Sequence, residues 1–74
     1  MAAHEVESEV QGNVWRVVVE EGDTVAEGDV LVIVESMKME IPIEAPVAGT
    51  VSKLHVAPED TVEEDQVVVV LETG

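Results

Sequence analysis

Few residues in this chain have types and spacing that could do chemistry, and one triplet stands apart. Met37-Lys38-Met39 sets a primary amine between two thioethers, and Lys38 is one of only two lysines. An ε-amine can carry charge or accept an acyl group, whereas a guanidinium stays charged. The ordinary reading of such a triplet is two methionines filling gaps in a core beside a solvated charge. The surroundings argue against it. Strand-forming residues 30–34 and 41–43 bracket the triplet, and a tip between strands calls for Gly, Asn or Asp. Two methionines there are an anomaly, and Lys38 is expected on an exposed hairpin tip. Other candidates are weaker. His4 and His55 lie far apart with no Cys or third His to complete a metal site, so no metal is expected. The acidic clusters Glu20-Glu21 with Asp23, Glu27 with Asp29, and Glu59-Asp60 with Glu63-Glu64-Asp65 lack the pattern of a calcium loop and read as solvated turns. No motif joins a Ser to a His, and no catalytic residue is assigned. Lys53, mid-strand with its side chain outward, reads as a surface charge.

The elements that would position Lys38 come from an internal repeat at an offset of 37. Gly12-Asn-Val14-Trp-Arg-Val17-Val-Val19 aligns with Gly49-Thr-Val51-Ser-Lys-Leu54-His-Val56. Glu21-Gly-Asp-Thr-Val25 aligns with Pro58-Glu-Asp-Thr-Val62, and ten of the 24 positions from Gly12 to Glu35 are identical. Each copy reads as strand, acidic turn, short strand, acidic turn, strand. Residues 14–20 and 50–56 are expected to be strands of β-branched residues. The turns use Gly, which allows positive φ, and Asp, which bonds its own backbone. In the second copy Glu59 and Asp65 replace the glycines; Asp tolerates the left-handed region, but Glu59 fits poorly, so that turn is expected to differ in shape. The connections are too short for helical crossovers, so pairing should be antiparallel or exchanged between halves. Two half-sheets that cannot bury their own faces should close on one another. The expected fold is all-β, a flattened barrel or sandwich of two antiparallel sheets with pseudo-two-fold symmetry. The tip at 36–40 protrudes from one end, with the chain termini at the other.

Composition supports this and removes several functions. Eighteen Val accompany three Ile, three Leu and one Trp, without Phe or Tyr, which favours strands. Seventy-four residues form one domain, 1–74, too small to build and support an active site readily. Seventeen Asp and Glu against three Lys and Arg give a net charge of −14, which repels phosphate backbones and anionic membranes, so neither nucleic acid nor membrane is an expected partner. Without Cys the fold stands on packing. No signal peptide is visible and no apolar run could span a bilayer, so a cytoplasmic location is expected. Trp15 aligns with Ser52 and breaks the repeat; it is expected to plug the core or cover the termini, with a partner contact as the alternative.

Glu35-Ser36-Met37-Lys38-Met39-Glu40 at the midpoint of a duplicated, Val-rich chain resembles the biotinyl domain of biotin carboxyl carrier proteins, whose pattern is Glu-Ala/Ser-Met-Lys-Met. The resemblance runs from about Glu5 to Glu72. It implies a biotinyl/lipoyl attachment fold in which a biotin protein ligase acylates Lys38 with biotin. Glu35, Ser36, Met37, Met39 and Glu40 would present the turn to the ligase and other partners. The chain would be a non-catalytic carrier moving a carboxyl group between biotin carboxylase and carboxyltransferase sites of a biotin-dependent carboxylase. Lipoyl domains usually carry Asp-Lys-Ala at this tip, so the methionines favour biotin. A lipoyl-type acyl carrier and an unmodified assembly adaptor remain the alternatives. Some members carry a protruding thumb in the first half. Residues 19–25 leave no room for one, which marks the thumbless type, either a freestanding carrier or an excised domain.

Overall fold

The branched Cβ atoms of the valines suit extended backbone, and all eight elements of the computed structural model, which describes residues 2–73, are strands. They are β1 Ala2–Glu7, β2 Gly12–Val17, β3 Thr24–Val25, β4 Val30–Ser36, β5 Met39–Glu44, β6 Gly49–Leu54, β7 Thr61–Val62 and β8 Val67–Thr73. An offset of 37 carries β1–β4 onto β5–β8, so the repeat includes β1 and β5 as well as the stretch that aligns by sequence. Two four-stranded antiparallel sheets form, ordered β1-β8-β6-β3 and β5-β4-β2-β7. Each sheet takes two strands from each half, so the expected exchange is present. The sheets close face to face into the expected sandwich.

The core is aliphatic. Leu31, Val32 and Val34 of β4 meet Val68, Val69 and Leu71 of β8, their repeat mates, and all six are completely buried. Val14, Val51 and Val62 complete the centre, while Val19 and Val56 turn inward where β2 and β6 have ended. The strands expected to reach residues 20 and 56 stop at Val17 and Leu54. Beyond them the ladder continues by one bond each, Val18 N–H to Leu31 O and His55 N–H to Val68 O, before the chain bends over the sandwich edge.

Four turns, at 20–23, 26–29, 57–60 and 63–66, share one geometry. In each, the N–H of the fourth residue donates to the carbonyl of the first, at 3.0–3.1 Å. The fourth side chain, Asp23, Asp29, Asp60 or Gln66, accepts from the N–H of the first residue. The third residue has positive φ: Gly22 at 97°, Gly28 at 91°, Glu59 at 76° and Asp65 at 69°. The Glu59 turn therefore has the same shape as its mate, contrary to the expectation from its side chain. An inter-strand bond overrides the local preference: Glu59 N–H donates to Val14 O at 2.8 Å, as Gly22 N–H donates to Val51 O. Three of the seventeen acids thus close turns.

The molecule measures 36 × 17 × 17 Å. At one end the Ser36–Met39 pair closes the β4–β5 hairpin; at the other its symmetry mate, the Ala2–Thr73 pair, brings the two ends of the described chain together.

Two stability measurements follow. Truncating the fully buried Val32 to Ala should cost about 1–3 kcal/mol through lost burial and a cavity, read from denaturant unfolding. Glu59→Gly should instead stabilise by about 0.5–1 kcal/mol, because glycine relieves a left-handed conformation that a side chain strains. A loss of stability in Glu59→Gly would show that the turn is not strained.

Candidate functional site

The site is the tip of the β4–β5 hairpin. Two residues, Met37 and Lys38, connect the Ser36–Met39 pair, with φ of 50° and 66°. Positive φ at both central positions is the type I′ arrangement, whose twist matches the flanking strands and which normally selects Asn-Gly. Here two long side chains occupy it, at a cost of the order of 1–2 kcal/mol each. The strain has a geometric result: the side chains leave the apex of the barrel. Met37 is 92% exposed and Met39 63%, and Lys38 is exposed between them. The methionines are not core filler.

The root of the tip is clamped from the side. Ser36 Oγ donates to Gln11 O at 2.8 Å, tying the end of β4 to the segment before β2. Gly12 then passes so close that a Cβ would lie 2.4 Å from Glu35 O and 2.9 Å from a Val34 methyl. No side chain fits there, so the glycine is required by approach. Glu35 and Glu40 face each other across the hairpin, both exposed, a like-charge pair that favours partners over self-closure. A shallow groove under the tip is bordered by Glu9, Gln11, Ser36, Met37 and Glu64. The tip therefore presents one primary amine, two thioethers and an acidic skirt.

The structure brings Glu35, Met37, Lys38, Met39 and Glu40 into one exposed unit with the half-buried Ser36 at its root, as their adjacency required. Gln11 and Gly12, which brace it, were not assigned from the sequence. The pairing of Gly12 with Gly49 in the repeat was the available signal, since a Cβ on Gly49 would likewise lie 2.6 Å from Glu72 O. Trp15 is a correction. It is 49% exposed on β2, with the Arg16 guanidinium 5.6 Å from its ring centre, and neither plugs the core nor covers the termini. Strand alternation explains this, since Val14 beside it points into the core. Among the described residues, no three His, Asp or Glu side chains converge as metal ligands would. Lys53 is exposed on β6, in the other sheet.

A two-sheet sandwich with exchanged halves and one lysine on a strained apex is the architecture of an attachment domain, and comparison with known proteins agrees. The biotin/lipoyl family model, described as "Biotin-requiring enzyme", matches residues 2–72, and the chain belongs to that family. It is 56% identical over 43 residues to the biotinylated protein TB7.3 homolog of Mycobacterium leprae, a match covering 58% of this chain and 61% of that protein. It is 50% identical over 40 residues to a biotin/lipoyl attachment protein of Bacillus subtilis, covering 54% of this chain and 55% of that one. The matched segments thus span less than two thirds of these relatives. Among solved structures, the Kluyveromyces lactis urea carboxylase contains a region that superposes with a TM-score of 0.91 at 35% identity, covering 97% of this chain and 6% of that one. A single-chain, multi-domain long-chain acyl-CoA carboxylase gives 0.89 at 28% identity, covering 96% of this chain and 7% of that one.

The strain at the apex is measurable. Replacing Met37-Lys38 by Asn-Gly should raise the melting temperature by several degrees, since about 1 kcal/mol shifts a domain of this size by roughly 4–8 °C. An unchanged or lower melting temperature would show that the native pair is not strained.

Proposed function

We propose that this chain is a biotin carboxyl carrier domain, with biotin held in an amide bond to Lys38 Nζ, serving a biotin-dependent carboxylase without catalysing a step itself. The observation that supports it most is the apex: an exposed primary amine between two exposed methionines, on a turn whose backbone keeps the amine away from the barrel. Biotin attached there would supply a ureido ring able to take up and release a carboxyl group. The residues present fit such a group, because an amide-linked arm needs an accessible amine and no pocket of its own.

The chain's own part is mechanical and electrostatic. The β4–β5 hairpin projects Nζ; the Gly12 contact and the Ser36 hydrogen bond keep the hairpin root from swinging. Fixing the root while leaving the arm free confines the arm's end to a small volume, which raises its effective concentration at a docked partner's site. Met37 and Met39 give a pliable apolar collar for a ligase to close over. Glu35, Ser36 and Glu40 complete the surface that the ligase reads. In attachment, Nζ attacks an activated biotin carboxyl group, the amide C–N bond forms, the activating group leaves, and Nζ loses its proton to solvent or a ligase base. The partners that follow are a biotin carboxylase and a carboxyltransferase. The acyl-CoA carboxylase and urea carboxylase among the similar proteins support this class of reaction.

Incubated with a biotin protein ligase, biotin and ATP, the protein should gain the mass of one biotin less one water, on Lys38 alone. Lys38→Arg should abolish the gain and Lys53→Arg should leave it, with both variants melting like the parent. Biotin on Lys53, or a lipoyl mass after growth with both ligases, would overturn the assignment.

A further inference from the structure

The pseudo-symmetry provides an internal control: what both halves share is needed for folding, and what one half alone carries is open to another use. Among the described residues four large apolar side chains are exposed, Trp15, Val18, Met37 and Met39. All four belong to the β5-β4-β2-β7 sheet, to its tip, or to the residue that continues its β2 ladder. Trp15 and Val18, each 49% exposed, have Ser52 and His55 as mates. Pro42, exposed on β5, has Glu5. Arg16, Ile33 and Pro42 stand in register across β2, β4 and β5, and a bulge between Val14 and Arg16 adds Trp15 to this row. The equivalent row of the other sheet is Lys53, Val70 and Glu5, with Ser52 at the bulge, so the fold closes without an aromatic there. Trp15 and Val18 have no structural reason to be apolar, and Pro42, which blunts the β5 edge, extends their apolar surface.

We propose that this outer face is the docking surface for the biotin carboxylase partner that receives the loaded arm. The inference rests on the carrier reading above. Position favours this occupant over the ligase. Trp15 lies in the bulge between the levels of Val34 and Ile33, about 7–10 Å short of the Ser36–Met39 pair at about 3.4 Å per residue, on the flank of the hairpin. A ligase acts on a bare amine and closes over the apex. Once an arm fills the space beyond the apex, a partner taking its end is left the hairpin's flank for contact with the body. Charge defines the partner's complement. Glu35, Glu40 and Glu44 border the apolar row, and its one cation, Arg16, lies over Trp15. The matching surface is an apolar depression for the indole, ringed by Lys and Arg. A second copy of this chain, at −14, is repelled from it.

The test changes each residue to its own mate, giving Trp15→Ser, Val18→His and Pro42→Glu together, with Trp15→Ser alone as a second variant. The biotinylated proteins are assayed as substrates of the biotin carboxylase from the same cell, with ATP and bicarbonate. The triple variant should melt within a few degrees of the parent and be labelled by the ligase at an unchanged rate. Its KM for the carboxylase should rise about tenfold or more with kcat retained, the loss expected when an interface aromatic is truncated. Added salt should raise KM for the parent. An unchanged KM in both variants overturns the proposal, and so does equal slowing of the ligase, which would assign the face to that enzyme. Failure of the parent to take biotin would instead overturn the carrier reading.

Discussion

Two short strands are exchanged between the halves, β3 onto β6 and β7 onto β2, and the tip depends on that exchange. Because β7 pairs with the first residues of β2, the Gly12 backbone is held against Glu35 and Val34. That contact, with the Ser36 hydrogen bond to Gln11, fixes the last turn of the β4–β5 hairpin from the side. A two-stranded hairpin on its own would be marginal and could relax its turn. Held at its root, it sustains positive φ at two residues that disfavour it. The chemistry of the apex is thus stabilised by burial some distance away, through β4, which has Leu31, Val32 and Val34 in the centre of the core. Strain at a functional residue persists where the surrounding structure over-determines it.

The repeat was legible in sequence because its turns recur as chemistry: Asp23 and Asp60 perform the same hydrogen bonding, and Thr24 and Thr61 begin the same exchanged strand. The extension to β1 and β5 was not legible. Of their six aligned positions only Glu7 and Glu44 agree, since edge strands need only alternation and a tolerance for the edge. Pro42 marks β5 as such an edge, lacking an N–H for a further strand. Glu59 misled in the other direction. Local preference opposes its conformation, and the bond that holds it comes from Val14, 45 residues away in the chain.

At the site, adjacency made the tip legible and distance hid its brace. Residues 35 to 40 form one unit because they are consecutive, so the sequence contains that grouping. Gln11 and Gly12 reach the tip only once β2 lies beside β4. Trp15 was misplaced by weighing its hydrophobicity over its strand position. With Val14 committed to the core, alternation sends its neighbour outward, and the bulge at that point lets Arg16 lie over the ring. A lone aromatic in an aliphatic core would also have broken the symmetry of packing that places Val14 opposite the role of Val51. The symmetry that organises the interior therefore expels the residue that departs from it.

The charge completes this arrangement. A small barrel with an exposed indole, two exposed methionines and open sheet edges carries the features that make proteins self-associate. Seventeen acids against three bases oppose that, because any pairing of like copies brings −14 against −14. Some of the acid is structural, closing the turns at Asp23, Asp29 and Asp60. Glu21 likewise accepts from Leu54 N–H, while Glu35, Glu40 and Glu44 border the tip and the apolar face, with Glu59 beside Trp15. Net charge thus selects between occupants of one surface, repelling a copy of the chain and attracting a basic partner. It does so at long range, before the apolar contact forms, which suits a carrier that must dock and release repeatedly: fast encounter comes from charge, and a small apolar footprint leaves release fast.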